Sequence, residues 1–237
     1  MLKRIQKVTP ETGRNNSLNY LENKFKNKIL ELRNVIYILS VLYKSKKREN
    51  GDYVLTHLLE VAKDFVENYE INNFSLVFVA LMHDVLEDKQ SELCALGKAD
   101  NTRQNAILVL KKLFKELNFS DEIWFMIDIL NKVNSNNKDK ELNYKLYIML
   151  TSKNLWTLAI KLIDTSDNLK DFNGICDEEK KKRSARKYAN NLVFFKGLII
   201  GDRLYSSKVR RRILKKIDRD LRLVDDYLGM DTIGQEI

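Results

Sequence analysis

The stretch that decides the fold is Phe74-Ser75-Leu76-Val77-Phe78-Val79-Ala80-Leu81-Met82-His83-Asp84-Val85-Leu86. It is apolar almost throughout and too long for a typical strand, so it reads as a buried helix. Its one polar interruption is the doublet His83-Asp84, followed at once by Glu87-Asp88. Working outward, helical periodicity recurs nearly everywhere. Asn16-Ser17 can cap a helix carrying Leu18, Leu21, Phe25, Ile29 and Leu32, and a second apolar stretch runs from Val35 to Tyr43. Arg48-Glu49-Asn50-Gly51-Asp52 reads as a turn hinged at Gly51, and the helix after it carries His57, Val61, Phe65 and Val66. Further helices are expected over Thr102 to Leu117, Asp121 to Val133, Leu142 to Leu150, Trp156 to Leu169, Glu178 to Ile199 and Val209 to Tyr227, with a polar loop at 134–139. No alternating strand pattern and no internal repeat is visible.

Composition agrees with this reading. The 237 residues suffice for a sizeable core, and 8 glycines with a single proline leave few chain breakers. The expectation is an all-α fold: one helical domain spanning 1–237, with the C-terminal helices of 178–227 packed on its core or on a partner. Hydrophobic residues make up 44% and charged residues 32%, which suits a globular chain with a charged surface. Cys94 and Cys176 are the only cysteines and share no spacing signature, which suits a reducing compartment. The basic N-terminus lacks the apolar core of a secretory signal, and no apolar run approaches the roughly 20 residues of a membrane span. A cytoplasmic protein without a membrane partner is expected, and a homo-oligomer is open.

The net charge of +9 favours phosphate-bearing partners. Lys44, Lys46, Lys47 and Arg48 cluster just upstream of His57. The later clusters, Lys180 to Lys187 and Lys208 to Lys216, read as solvated helix faces. No nucleic-acid-binding motif accompanies them, which argues against a nucleic-acid partner. A basic nucleic-acid-binding or regulatory protein with a vestigial metal pocket is the rival from another class.

Only two histidines exist, His57 and His83, and both belong to one metal-site pattern with Asp84 and Asp164. Taken singly, a histidine on an apolar helix face is more often a core residue than a ligand. Together, two imidazoles and two carboxylates suit a borderline or hard divalent cation such as Mn, Fe or Zn. Asp164, within Ala159-Ile160-Lys161-Leu162-Ile163-Asp164, would be costly to bury unless paired or metal-bound. In a continuous helix His83 would align with Glu87, and Asp84 with Asp88.

The ordered set His57, His83-Asp84, Asp164 resembles the HD superfamily of metal-dependent phosphohydrolases. Its flanks, Arg48 to Ala62, Ala80 to Asp88 and Ile160 to Leu169, are similar to the hydrolase domain of RelA/SpoT homologues, over roughly Asn34 to Arg186. No segment resembles their synthetase domain or regulatory tail, so the stand-alone small alarmone hydrolase is the type most similar. The resemblance implies hydrolysis of the 3′-pyrophosphate of guanosine tetraphosphate or pentaphosphate, giving GDP or GTP. It implies Mn²⁺ on His57, His83, Asp84 and Asp164, with Glu87 and Asp88 as the acidic pair that positions or deprotonates water. Arg48 and Asn168 match nucleotide-contacting residues, and Lys161 is expected to help bind the substrate. Departures fall at Leu58, where the family has proline, at Glu49, and at Thr165-Ser166-Asp167 in place of Arg-Leu-His. Asp171 stands where a hydroxyl residue is common. Several of these lie on the base side, so an HD phosphohydrolase acting on another nucleotide is the nearer alternative.

Overall fold

A computed structural model describes residues 16–44, 46–48, 51–131, 155–175, 177–201 and 205–228, apart from the Asn173 side chain. It is all-α: among the described residues the only β feature is an isolated bridge between Lys47 and Tyr53. The helices are α1 (Asn16–Lys24), α2 (Ile29–Leu42), α3 (Val54–Tyr69), α4 (Phe74–Leu81), α5 (Val85–Gly97), α6 (Arg103–Leu113), α7 (Asp121–Leu130), α8 (Leu155–Asn168), α9 (Glu178–Gly201) and α10 (Ser207–Leu228). The helix expected over Leu142 to Leu150, the polar loop at 134–139 and Cys176 lie outside the described residues.

Two boundaries differ from the sequence reading. The first expected helix breaks at Phe25, where a 3₁₀ turn over Lys26–Lys28 separates α1 from α2, and Ile29 and Leu32 belong to the second helix. The decisive run over 74–86 is two helices rather than one. Met82, His83 and Asp84 form a turn, and Asp84 is the N-cap of α5. That turn is held from a distance by Asn131, fully buried at the end of α7. Its Oδ1 accepts from the backbone N–H groups of Leu86 (2.8 Å) and Glu87 (3.0 Å), and its Nδ2 donates to the Ile127 carbonyl (2.6 Å). An Asp at the N-cap usually spends its carboxylate on those orphan N–H groups. Asp84 makes no such cap bond. Asn131 supplies it instead, so the Asp84 carboxylate is left to point elsewhere.

α8 is buried nearly all round, from Thr157 to Asp167. It packs against α3, α7 and α9. α3 contributes Leu58, Leu59, Val61, Ala62 and Phe65, and α4 is buried from Leu76 to Leu81. Phe78 anchors an aromatic cluster, with ring centroids 4.3 Å from Phe119 and 5.0 Å from Phe114. α9 and α10 form a hairpin that lies on α8 and α3, so the C-terminal helices pack on the core. Within the expected turn, Gly51 has φ +90, a region that favours glycine, and its N–H reaches the Arg48 carbonyl at 3.0 Å. This turn brings Arg48 back towards the C-terminal end of α8.

Candidate metal centre

α3 delivers His57, the α4–α5 turn delivers His83 and Asp84, and α8 delivers Asp164. One donor atom from each of the four lies within 4.8 Å of all the others. The two Nε2 atoms are 3.2 Å apart. Asp164 Oδ1 is 3.4 Å from His57 Nε2 and 3.6 Å from His83 Nε2, and Asp84 Oδ2 is 3.3 Å from His83 Nε2 and 3.9 Å from His57 Nε2. Ligands about 2.1 Å from one cation are separated by about 3.0 Å at right angles and about 3.4 Å in a tetrahedron. The observed spacings suit such a cation.

The protonation pattern points the same way. His83 Nδ1 sits 2.7 Å from the Ala80 carbonyl, and His57 Nδ1 sits 2.5 Å from Asp167 Oδ2. A carbonyl and an ionised carboxylate only accept, so both Nδ1 atoms carry the proton and both Nε2 lone pairs face inward. They meet each other and two carboxylates in a place where His57, His83 and Asp164 are buried. Four converging acceptors need positive charge between them, and a divalent cation fits this donor set. Without one, protons take its place. Burial disfavours the imidazolium of His83, but the carboxylates of Asp84 and Asp164 outweigh it and hold the pKa up at about 10. For His57, too, burial is overcome by Asp164 and Asp167, and the pKa is raised. Asp164 is pulled far below the usual carboxylate range: burial opposes this, but Lys161 and the two imidazoles prevail.

The remaining expected residues gather around the four. Lys161 Nζ donates to Asp164 Oδ2 at 2.5 Å and Asn168 Nδ2 to Asp164 Oδ1 at 2.7 Å, so both hold that carboxylate in place. Arg48 is tied to Asn168 Oδ1 (2.6 Å), to Asp167 Oδ2 (3.1 Å) and to the Asp171 carboxylate. Asp88 pairs with Lys46 at 3.0 Å, and Glu87 is exposed. Both lie on the first turn of α5, outside the four-residue set. Because the helix restarts at Val85, the same-face alignment expected of a continuous helix survives only for Asp84 and Asp88, whose backbones are bonded (Asp88 N–H to Asp84 carbonyl, 2.9 Å).

Two openings adjoin the cluster. One, of about 160 Å³, is lined by Asp84, Lys161, Asp164, Asn168, Lys187 and Tyr188. The other, of about 300 Å³, is lined by Arg48, Asn168, Asp171, Lys180, Ser184 and Tyr188. Asn168 and Tyr188 line both, so the two adjoin. Burial, with Asp164 nearby, pushes the Tyr188 phenol up to about 12, so it stays a hydrogen-bond donor at neutral pH.

Sequence reasoning gave no site role to Asp167 or Tyr188 and read Lys187 as part of a solvated helix face, whereas it lines the smaller opening. Asp167 had a signal: at i+3 from Asp164 it shares a helix face with that residue. The α9 residues had none, because only the hairpin's docking brings them to the site. Among the described residues no helix is long and apolar enough to cross a membrane. No family model, no curated protein and no solved structure matches this chain.

Proposed function

We propose that this chain is a divalent-metal-dependent phosphohydrolase of the HD type, with Mn²⁺ as its metal, that removes the 3′-pyrophosphate of guanosine tetraphosphate or pentaphosphate. The observation that carries the reading is the convergence of two inward Nε2 lone pairs and two carboxylates on one buried point. A divalent ion held there supplies Lewis acidity towards phosphoryl oxygens and makes water a better nucleophile at neutral pH. The chain's own residues do the rest. Asp164, clamped by Lys161 and Asn168, keeps its position when substrate enters. Glu87 or Asp88, one turn along α5 from Asp84, takes the proton from the attacking water. Lys161 and Lys187, on the wall of the smaller opening, stabilise charge on the phosphoryl oxygens. The larger opening holds the nucleoside beside Arg48 and Asn168. The test is release of pyrophosphate, with GDP or GTP, from guanosine tetra- or pentaphosphate in Mn²⁺, and its loss in Asp84→Ala and Asp164→Ala. Wild-type turnover by a folded Asp84→Ala protein would falsify the site.

A second reading keeps the chemistry and changes the nucleotide. It is favoured by the Arg48–Asp171 ion pair, which places a carboxylate in the nucleoside opening and neutralises the arginine there. A panel of nucleoside mono- and triphosphates and dinucleotide cofactors, read by orthophosphate and pyrophosphate release, separates the two.

A further inference from the structure

We infer that Asp167 is a positioning residue that fixes which imidazole nitrogen of His57 faces the cation, an inference that rests on the metal reading of the site. Asp167 lies on α8 one turn beyond Asp164, with 5% of its side chain exposed. Both of its oxygens are engaged. Oδ2 lies 2.5 Å from His57 Nδ1 and 3.1 Å from an Arg48 Nη, and Oδ1 accepts from Lys170 Nζ at 2.5 Å. Lys170 in turn reaches Glu60 on α3 at 3.5 Å, so the carboxylate is braced from α3, from the Arg48 turn and from the 3₁₀ segment Leu169–Gly174 that follows α8. A carboxylate held this way cannot swing to follow the ring; the ring follows it.

The chemical consequence is specific. A neutral imidazole has two tautomers of similar energy, and only the one with a proton on Nδ1 offers Nε2 to a metal. An acceptor-only partner at Nδ1 selects that tautomer, orients the ring and raises the ligand's basicity. His83 achieves the same selection with a backbone carbonyl. His57, in the first turn of α3, aims its Nδ1 outside its own helix and is met by a side chain from α8. A bare Arg48–Asp167 ion pair would brace the fold without touching the tautomer, so the tautomer is the discriminating readout.

The experiment uses the full chain with ¹⁵N-labelled histidine, titrated with Zn²⁺ as a diamagnetic probe and followed by NMR and calorimetry. In the wild type, His57 should show a protonated Nδ1 and a metal-shifted Nε2. Asp167→Ala should weaken Zn²⁺ binding about 10- to 100-fold and mix the His57 tautomers, whereas Asp167→Asn, which keeps an acceptor oxygen without the charge, should lose less affinity and keep the tautomer. Metal on Nδ1 of His57 in the wild type would overturn the inference, and this needs no variant to fold. So would an Asp167→Ala protein with wild-type affinity and nitrogen shifts. Failure of the wild type to bind Zn²⁺ would overturn the metal reading itself, a result distinct from either.

Discussion

Asn131 carries a prediction that joins fold to site. Its Oδ1 takes the N–H groups of Leu86 and Glu87, and its Nδ2 takes the Ile127 carbonyl, all from a fully buried position. Asn131→Leu keeps most of the volume and removes these bonds together with the longer one from Nδ2 to the Met82 carbonyl (3.5 Å). The Leu86 N–H is left without a partner inside the core, at about 1–3 kcal/mol, and the Glu87 N–H, nearer water, adds a smaller cost of the order of a lost helix cap. The sum is about 2–4 kcal/mol, which for a chain of this size lowers Tm by about 5–15 °C. Asp84 would then be drawn to cap its own helix, so Mn²⁺ affinity should fall on the order of tenfold as well. Differential scanning calorimetry of wild type, Asn131→Leu and Asn131→Ala, each with and without Mn²⁺, reads both effects. Ala adds a cavity and should be the worse of the two. An Asn131→Leu protein within about 2 °C of wild type would refute remote capping as the device that frees Asp84.

Three further outcomes are expected. Glu87→Gln should bind Mn²⁺ as the wild type does while turnover drops; loss of metal by calorimetric titration would make Glu87 a ligand instead. In the metal-free protein, the raised pKa of His83 contributes stability that is complete below its unfolded value of about 6.5 and is lost as pH rises towards about 10. Mn²⁺ needs that proton gone, so the Tm gain from a fixed Mn²⁺ concentration should grow between pH 6 and pH 8.5 on thermal scans; a gain that shrinks would contradict the assignment. Gly97 marks the close approach of α5 and α6, where a Cβ would stand 2.3 Å from Val109 Cγ2. Gly97→Ala should cost about 1–3 kcal/mol in denaturant melts, and an unchanged midpoint would mean that the helices part freely.

The helical class is legible because so few residues can break a helix, and the apolar periodicity of α3, α8 and α10 survives in the structure. The cluster that could hold a metal is legible because the chain offers only two histidines, each beside an apolar stretch that a core must position. What sequence hides is what tertiary contact decides. Nothing local marks the turn at Met82–Asp84: no glycine or proline stands there, and its cap comes from Asn131, 45 residues away. The same holds for Arg48, whose partners Asp167 and Asn168 lie 119 and 120 residues away. Read as a nucleotide contact, Arg48 is also an internal brace. Lys161 has a local signal, because i and i+3 on a helix place its amine over Asp164, yet burial is what turns that proximity into a tight ion pair.

The most direct test of the account is to count imidazole nitrogens on bound manganese. Pulsed electron paramagnetic resonance of the full chain loaded with Mn²⁺ should show one tightly held ion per chain coupled to two histidine nitrogens, falling to one in His57→Ala or His83→Ala. A tightly bound ion with no imidazole coupling, or no tightly bound ion, would contradict it.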